Sequence, residues 1–343
     1  MSHRRTYKVA ILGATGLVGR EMVKVLDERR FPISDLVLLA SERSAGEKVN
    51  FGKRSIVVQV ATPERFNEVD IVLASAGSEV AARLLPDAVE RGCVCIDNSS
   101  AFRMQADVPL VVPEVNPEAV LDEDGIIANP NCSTIQLVMA LKPLHDAARI
   151  RRVVVSTYQS VSGAGRKGID ELAQQTIALL NQKPLDIEVH AARIAFNAVP
   201  QIGDWGADDY TTEEIKLVAE TQKILGLPEL PVTATAVRVP VFAGHSESVH
   251  VEFESPLSAD EARALLSASP GVEVIDEPRT GRYPMAMDCA ERDEVFVGRI
   301  RPDRSVPHGL AMWIVADNLR KGAATNAVQI AWLLDQQWNA AQA

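Results

Sequence analysis

The chain has 343 residues, 47% of them hydrophobic and 24% charged, with a formal net charge of −11. That length is large for one hydrophobic core and implies two domains, while the acidic balance argues against nucleic acid as a partner. No run of about 18 apolar residues exists, so no membrane span is expected.

His3, Arg4 and Arg5 precede a short apolar run that Gly13 and Gly16 break too early for a signal peptide. The cysteines are Cys93, Cys95, Cys132 and Cys289. None form a C-x-x-C pair, so neither a zinc ribbon nor a thioredoxin motif is present; no metal site is expected, and the sparse cysteines make a reducing cytoplasm the expected compartment.

Residues 8–12 read as a strand and 17–29 as a helix, followed by strands at 36–40, 71–74 and 94–96 and a helix at 79–90. Short, continuously apolar strands alternating with helices predict an α/β domain: a doubly wound parallel sheet of Rossmann type. Between the first strand and helix lies Gly13-Ala14-Thr15-Gly16-Leu17-Val18-Gly19. Glycines there allow a tight turn and close approach of backbone to a pyrophosphate at a helix N-terminus. The second strand ends at Ala40-Ser41-Glu42-Arg43-Ser44. Arg43 with the Ser41 and Ser44 hydroxyls suits a ribose 2′-phosphate, which favours NADP; Glu42 is the acidic group that would instead suit NAD.

Cys132 stands in Asn129-Pro130-Asn131-Cys132-Ser133-Thr134, where strand-like sequence gives way to a helical pattern of Ile135, Val138, Met139 and Leu141. A thiol at a helix N-terminus meets unpaired N–H groups and the positive end of the dipole, which favour the nucleophilic thiolate. The bland reading is a buried structural cysteine.

Beyond residue 151 the strands lengthen and alternate, at 153–160, 232–239, 248–254, 295–301 and 310–316, with helices at 168–180, 212–225 and 259–267. This texture predicts an α+β domain with a mostly antiparallel sheet. The expected division is residues 1–131, completed by a C-terminal helix at 322–343, and residues 132–321. Gly163-Ala164-Gly165-Arg166-Lys167-Gly168 lies outside any βαβ unit and reads as a flexible loop near the nicotinamide. His245 follows Gly244 where a loop enters a strand and is the histidine best placed to serve a reactive thiol.

The motifs G-A-T-G-L-V-G, S-E-R-S-A-G, D-N-S-S-A-F-R, N-P-N-C-S-T, Y-Q-S-V-S-G-A-G, E-E-I-K and R-V-P-V-F-A-G-H-S-E occur in this order, and over nearly its whole length the chain resembles the aspartate-β-semialdehyde dehydrogenase family. The resemblance implies NADPH-dependent reduction of L-aspartyl 4-phosphate to L-aspartate 4-semialdehyde. That step lies on the route to lysine (through diaminopimelate), methionine, threonine and isoleucine. It implies Cys132 as nucleophile, His245 as general acid/base and Gln159 as the residue orienting the substrate. Arg238 would hold the α-carboxylate, Glu213 (or its neighbour Glu214) the ammonium, and Lys216 and Arg103, assisted by Asn131, the phosphate. Cofactor contacts would come from Gly13, Thr15, Gly16, Leu17, Val18, Gly19, Ser41, Arg43, Ser44, Ser162, Gly163 and Asn318. Residues 183–205 resemble the branch with a helical subdomain at that point. A homodimer through the second domain's sheet is implied, dimers sometimes pairing into tetramers. Rival readings are an N-acetyl-glutamyl-phosphate reductase, whose substrate has no ammonium, and a non-catalytic ligand-binding paralogue.

Overall fold

The computed structural model describes residues 5–120 and 125–340. The outermost positions of the predicted first domain, 1–4 and 341–343, lie outside them. The chain divides into two compact units. One runs to Asn131 and resumes at Ala323; the other is Cys132–Gly322.

The first unit contains β1 (Tyr7–Leu12), α1 (Leu17–Glu28), β2 (Ile33–Ala40), β3 (Lys48–Phe51), β4 (Arg54–Val57), β5 (Gln59–Val60), β6 (Ile71–Ala74), α2 (Ser78–Glu90), β7 (Val94–Asp97) and β8 (Ile126–Ala128). Six strands form one sheet in the order β5-β2-β1-β6-β7-β8. Every pairing in it is parallel. Its central strands are mostly apolar because both faces are buried: all four residues of β6 are inaccessible. The strand order reverses between β1 and β6, which opens a crevice beyond their carboxyl ends. Glycine is required where the chain leaves β1. Gly13 has φ +89°, and a Cβ there would lie 2.5 Å from the Ser75 carbonyl oxygen. A Cβ on Gly19 would lie 2.2 Å from the Gly13 oxygen, so α1 can pack this closely on the turn only without one.

The second unit contains α3 (Cys132–Ala148), β9 (Ile150–Gln159), α4 (Gly165–Leu180), α5 (Thr212–Leu225), β10 (Val232–Arg238), β11 (His245–Phe253), α6 (Ala259–Ser267), β12 (Val272–Val274), α7 (Ala286–Cys289), β13 (Val295–Asp303) and β14 (Gly309–Ala316). Its sheet runs β10-β9-β11-β14-β13-β12. The four inner strands pair antiparallel, and the two edge strands add in parallel. Helices α3, α5 and α6 pack on one face. On β11 the buried Val249, Val251 and Phe253 alternate with half-buried His250 and Glu252, so His245 and Glu247 share the helix-covered face. On the other face the Tyr158 and Trp313 rings lie 5.4 Å apart, tilted by 43°.

The last helix, α8 (Thr325–Ala340), belongs to the first unit. Its Ala327, Val328, Ile330, Ala331 and Leu334 pack in the same core as β1, and Tyr7 donates to Asp335 at 3.1 Å.

One expectation fails. Residues 183–205 contain no helix and hence no helical subdomain. Side chains of α4 take the backbone donors there. The Glu171 carboxylate accepts the N–H groups of Glu188, Val189 and His190, and Gln175 Oε1 accepts those of Ile194 and Ala195. Donors satisfied this way have no need of an i→i−4 ladder.

Candidate active site

In the first unit a cleft of about 470 Å³ lies beyond the carboxyl ends of β1, β2 and β6. Gly13, Thr15 and Gly16 line it from one side, and Ser41, Glu42, Arg43 and Ser44 from another. Helix α1 opens at Gly16 with no side-chain cap and no acidic residue in its first turn. Its first N–H groups therefore suit a phosphate. Neither Arg43 nor Glu42 has an ion-pair partner among the described residues. A guanidinium and two hydroxyls at the rim fit the extra phosphate of NADP. Leu17, Val18 and Gly19 do not line the cleft; Val18 packs against the core and Gly19 beneath the turn. Arg83 of α2 does line it, a second cation that sequence reading missed. Its position in an ordinary helix gave no signal.

Also in the first unit, the D-N-S-S-A-F-R motif forms a tight turn after β7. Asp97 accepts from the Ser99 N–H at 2.9 Å and the Ser99 hydroxyl at 2.6 Å. Burial pushes the Asp97 carboxyl up against these bonds and the nearby Arg103 charge. Arg103 is itself buried and donates to the Asn98 carbonyl at 2.9 Å, so the turn fixes its direction. Asn131, also buried, ends this part of the unit.

Cys132 is the first residue of α3 and is partly exposed. The other three thiols are buried. Burial pushes Cys93 up to about 11, Cys289 up to about 12 and Cys95 well above the usual range. They are inert as nucleophiles. The chain end of the second unit presses on Cys132: a Cβ on Gly322 would lie 2.9 Å from the Cys132 Cβ.

Sheet register assembles the remaining groups. Gln159 ends β9 and pairs directly with Arg238, which ends the parallel neighbour β10. Both side chains are buried. Gln159 Nε2 donates to Glu213 Oε1 at 3.1 Å, and Lys216, one turn along α5, pairs with Glu213 at 3.6 Å. Burial lowers the Arg238 pKa, whereas the charges of Glu213 and Cys132 raise it, so this guanidinium lies within reach of both. His245 opens β11 and is wholly buried. Burial and the Arg238 charge depress its pKa to about 3, with the Gly244 backbone opposing. Gly163 must lack a side chain, since a Cβ would lie 2.7 Å from Arg238 Nη1 and 3.2 Å from His245 Nε2.

The second unit thus brings together Cys132, Gln159, Glu213, Lys216, Arg238 and His245. Ser162, Gly163 and Asn318 lie with them. Asn318 Nδ2 donates to Ser162 Oγ, and Asn318 Oδ1 accepts from the Gly244 N–H at 3.1 Å. Glu213 and Glu214 separate cleanly. Glu214 caps α5, accepting the Thr211 N–H at 2.7 Å and the Ala236 N–H at 2.9 Å, and Glu213 is the one that faces Gln159. The glycine-rich stretch after β9 is a short turn, Val161–Ala164, leading straight into α4 at Gly165. Ser160, which touches the His245 ring, was missed. Its place beside Gln159 was the only hint.

Two family models match the chain. The NAD binding domain of semialdehyde dehydrogenases matches residues 8–123, and the semialdehyde dehydrogenase dimerisation domain matches residues 141–321. Aspartate-semialdehyde dehydrogenase of Aquifex aeolicus (strain VF5) is 55% identical over 96% of this chain and 98% of its own. That of Legionella pneumophila is 52% identical over 97% of both chains. The crystal structure of aspartate semialdehyde dehydrogenase II from Vibrio cholerae, complexed with ASA, superposes with a TM-score of 0.94 at 50% identity. It covers 97% of this chain and 99% of its own. A structure with NADP from Candida albicans superposes with a TM-score of 0.76 at 29% identity, covering 96% of this chain and 98% of its own.

Proposed function

The chain belongs to the aspartate-semialdehyde dehydrogenase family, and from that premise we propose how its side chains carry the reaction. It is an NADP-dependent oxidoreductase acting on aspartate semialdehyde. In the reducing direction the substrate is L-aspartyl 4-phosphate. The observation that carries the assignment is one partly exposed thiol at a helix start, with a buried arginine whose charge reaches it and a buried histidine beside that arginine.

Cys132 Sγ, as thiolate, forms a bond to the acyl carbon while a carbonyl electron pair moves to oxygen. Reforming the carbonyl breaks the bond to the phosphate oxygen, and phosphate leaves with that electron pair. When bound, the dinucleotide supplies the hydride that reduces the resulting thioester. Breaking the C–S bond then returns its electron pair to sulfur and releases the aldehyde. His245 is the acid/base partner at the oxygen where charge grows and fades. Arg238 holds the α-carboxylate, Glu213 the ammonium, and Gln159 sets the substrate beside the thiolate. Lys216, Arg103 and Asn131 hold the phosphate. Ser162, Gly163 and Asn318 are further proposed cofactor contacts, as the resemblance implies.

The second unit carries the family's dimerisation domain. We propose a homodimer formed through the sheet face that bears Tyr158 and Trp313, with tetramers as a further step. A cytoplasmic location is proposed because a nucleophilic thiol needs reducing surroundings.

The test is phosphate-dependent reduction of NADP by purified protein with aspartate semialdehyde. Wild type is expected to turn over, and Cys132→Ala to lose all activity. Turnover by the variant would end the covalent mechanism, and a preference for N-acetyl-glutamyl phosphate in the reverse assay would reassign the substrate.

A further inference from the structure

The link from β14 to α8 inverts the usual pattern of a connecting segment. Such segments run over the surface and keep their polar side chains in water. Here Asp317, Asn318, Arg320 and Lys321 are all buried, and the apolar Leu319 among them is the more exposed. The link closes in a π-helical turn, Arg320–Ala324, a rare form that concentrates at functional sites.

Buried polar groups need partners, and those of this segment fix its shape. Asp317 Oδ1 accepts the N–H groups of Leu319 at 2.8 Å and Arg320 at 3.2 Å, and its Oδ2 accepts that of Glu291 at 2.7 Å. The Asp317 carbonyl accepts the Gly322 N–H at 3.0 Å. Arg320 Nε donates to Asp293 at 2.8 Å. Asn318 reaches the other way. Its Oδ1 accepts the N–H of Gly244, the residue preceding His245, at 3.1 Å, and its Nδ2 donates to Ser162 Oγ at 3.0 Å.

Gly322 stands at the far end. Its φ lies outside the left-handed region, so backbone conformation does not call for glycine. Space does. A Cβ there would lie 2.9 Å from the Cys132 Cβ and 3.3 Å from the Cys132 Cα. Rotation about χ1 moves the Cys132 sulfur and leaves its Cβ where it is. Relief would therefore require a backbone shift, either of the segment or of the first turn of α3.

We infer that Gly322 is a positioning residue for the thiol, and that the segment Asp317–Gly322 is the template that sets Cys132 against His245. The segment touches the nucleophile through Gly322 and the chain entering the histidine through Asn318. A side chain at 322 moves the sulfur and removes no group that acts on substrate. The inference rests on the functional reading above for the reaction that the thiol performs.

Gly322→Ala is expected to lower kcat for phosphate-dependent NADP reduction about a hundredfold, the cost of a misplacement near 1 Å, with KM for aspartate semialdehyde within about twofold of wild type. Arg238, Glu213 and Gln159 are left in place, so substrate binding has no reason to fall. Alkylation by iodoacetamide reads the thiol without its partners, and because Cys93, Cys95 and Cys289 are buried it reports on Cys132. Its rate from pH 6 to pH 9 is expected to stay within about threefold of wild type, since the helix terminus that favours thiolate remains. An unchanged kcat overturns the inference. So does an alkylation rate that falls as far as kcat, because the thiol itself would then be altered and not merely misplaced. A double variant tests the contact. Cys132→Gly removes the Cβ that the new methyl meets, so the denaturant midpoint lost in Gly322→Ala is expected to be largely recovered when the two are combined. Equal losses in both backgrounds overturn the contact. Should Gly322→Ala alone not fold, the same pair decides: a folded double variant supports the contact, and an unfolded one overturns it. If wild type lacks phosphate-dependent turnover, the functional reading fails, while the stability of the double variant still stands or falls by itself.

Discussion

Glu213 and Glu214 are adjacent in sequence and differ in what their carboxylates touch. Glu214 is consumed by two backbone donors, so Glu214→Ala leaves two buried N–H groups unsatisfied. That loss costs about 2 kcal/mol or more, and a lower denaturation midpoint with kcat/KM near wild type is expected. Glu213→Gln is expected to leave stability near wild type and to raise KM for aspartate semialdehyde at least about tenfold, the loss of one charged hydrogen bond. Steady-state kinetics and unfolding curves on both variants would expose a reversed assignment. Arg238→Lys removes a planar fork that a point charge cannot replace. A fall in kcat/KM of about tenfold to a hundredfold is expected, and an unchanged value would remove Arg238 from the carboxylate role. Residue chemistry was legible in the sequence where one type has few alternatives, as with Cys132. It was not legible at Ser160, because a serine that meets the His245 ring with its backbone N–H has no signature in side-chain chemistry.

Among the elements, the segment after α4 shows how an irregular chain is kept in place. Glu171 accepts three backbone N–H groups and contacts His190 Nδ1 at 2.8 Å. Burial raises the Glu171 pKa, but these bonds outweigh it and hold the carboxyl below its usual range. A depressed carboxylate stabilises the fold above its unfolded pKa, near 4.5, and loses that contribution as pH falls through the folded value. Hydrogen exchange at residues 186–195 is therefore expected to accelerate below about pH 4.5 in wild type, and at neutral pH in Glu171→Ala. Protection unchanged in the variant would show that other contacts hold the segment. Periodicity gave α5 and α6 with their observed ends, because each begins at a Ser or Thr cap followed by Glu at the third helical position. The hairpin β3–β4 escaped notice. Lys48-Val49-Asn50-Phe51 does alternate, but over only four residues, and in the hairpin only Val49 is buried. The 183–205 segment misled because its donors are satisfied by distant α4, a relation no local window contains.

At the level of the whole molecule, two wholly buried groups on β11 set opposing pH limits. His245 is depressed from its usual 6.5 to about 3. Its contribution to stability is complete above about pH 6.5 and is lost as pH falls toward 3. Glu247 is raised well above 4.5, chiefly by burial, with a contact from Gln136 opposing. Its contribution is complete below about pH 4.5 and is lost as pH rises through the folded value. Glu247→Gln keeps the shape and cannot ionise, so its advantage over wild type in denaturant midpoint is expected to grow from pH 5 to pH 9. A constant difference across that range would show that Glu247 is already charged in the fold. The change in strand texture along the chain pointed to two units, with an expected division after residue 131 and a return at 322; in the structure the first unit runs to Asn131 and resumes at Ala323. That junction has a consequence of its own. The second unit opens at Cys132 and closes at Gly322, and these residues abut; on the host side Asn129 Nδ2 and the Ala323 oxygen stand 3.3 Å apart. Thiol chemistry therefore arrives as a cassette with touching ends, its nucleophile the very first residue of the graft. A nucleotide binder can acquire or shed it at a single seam without stretching the backbone on either side.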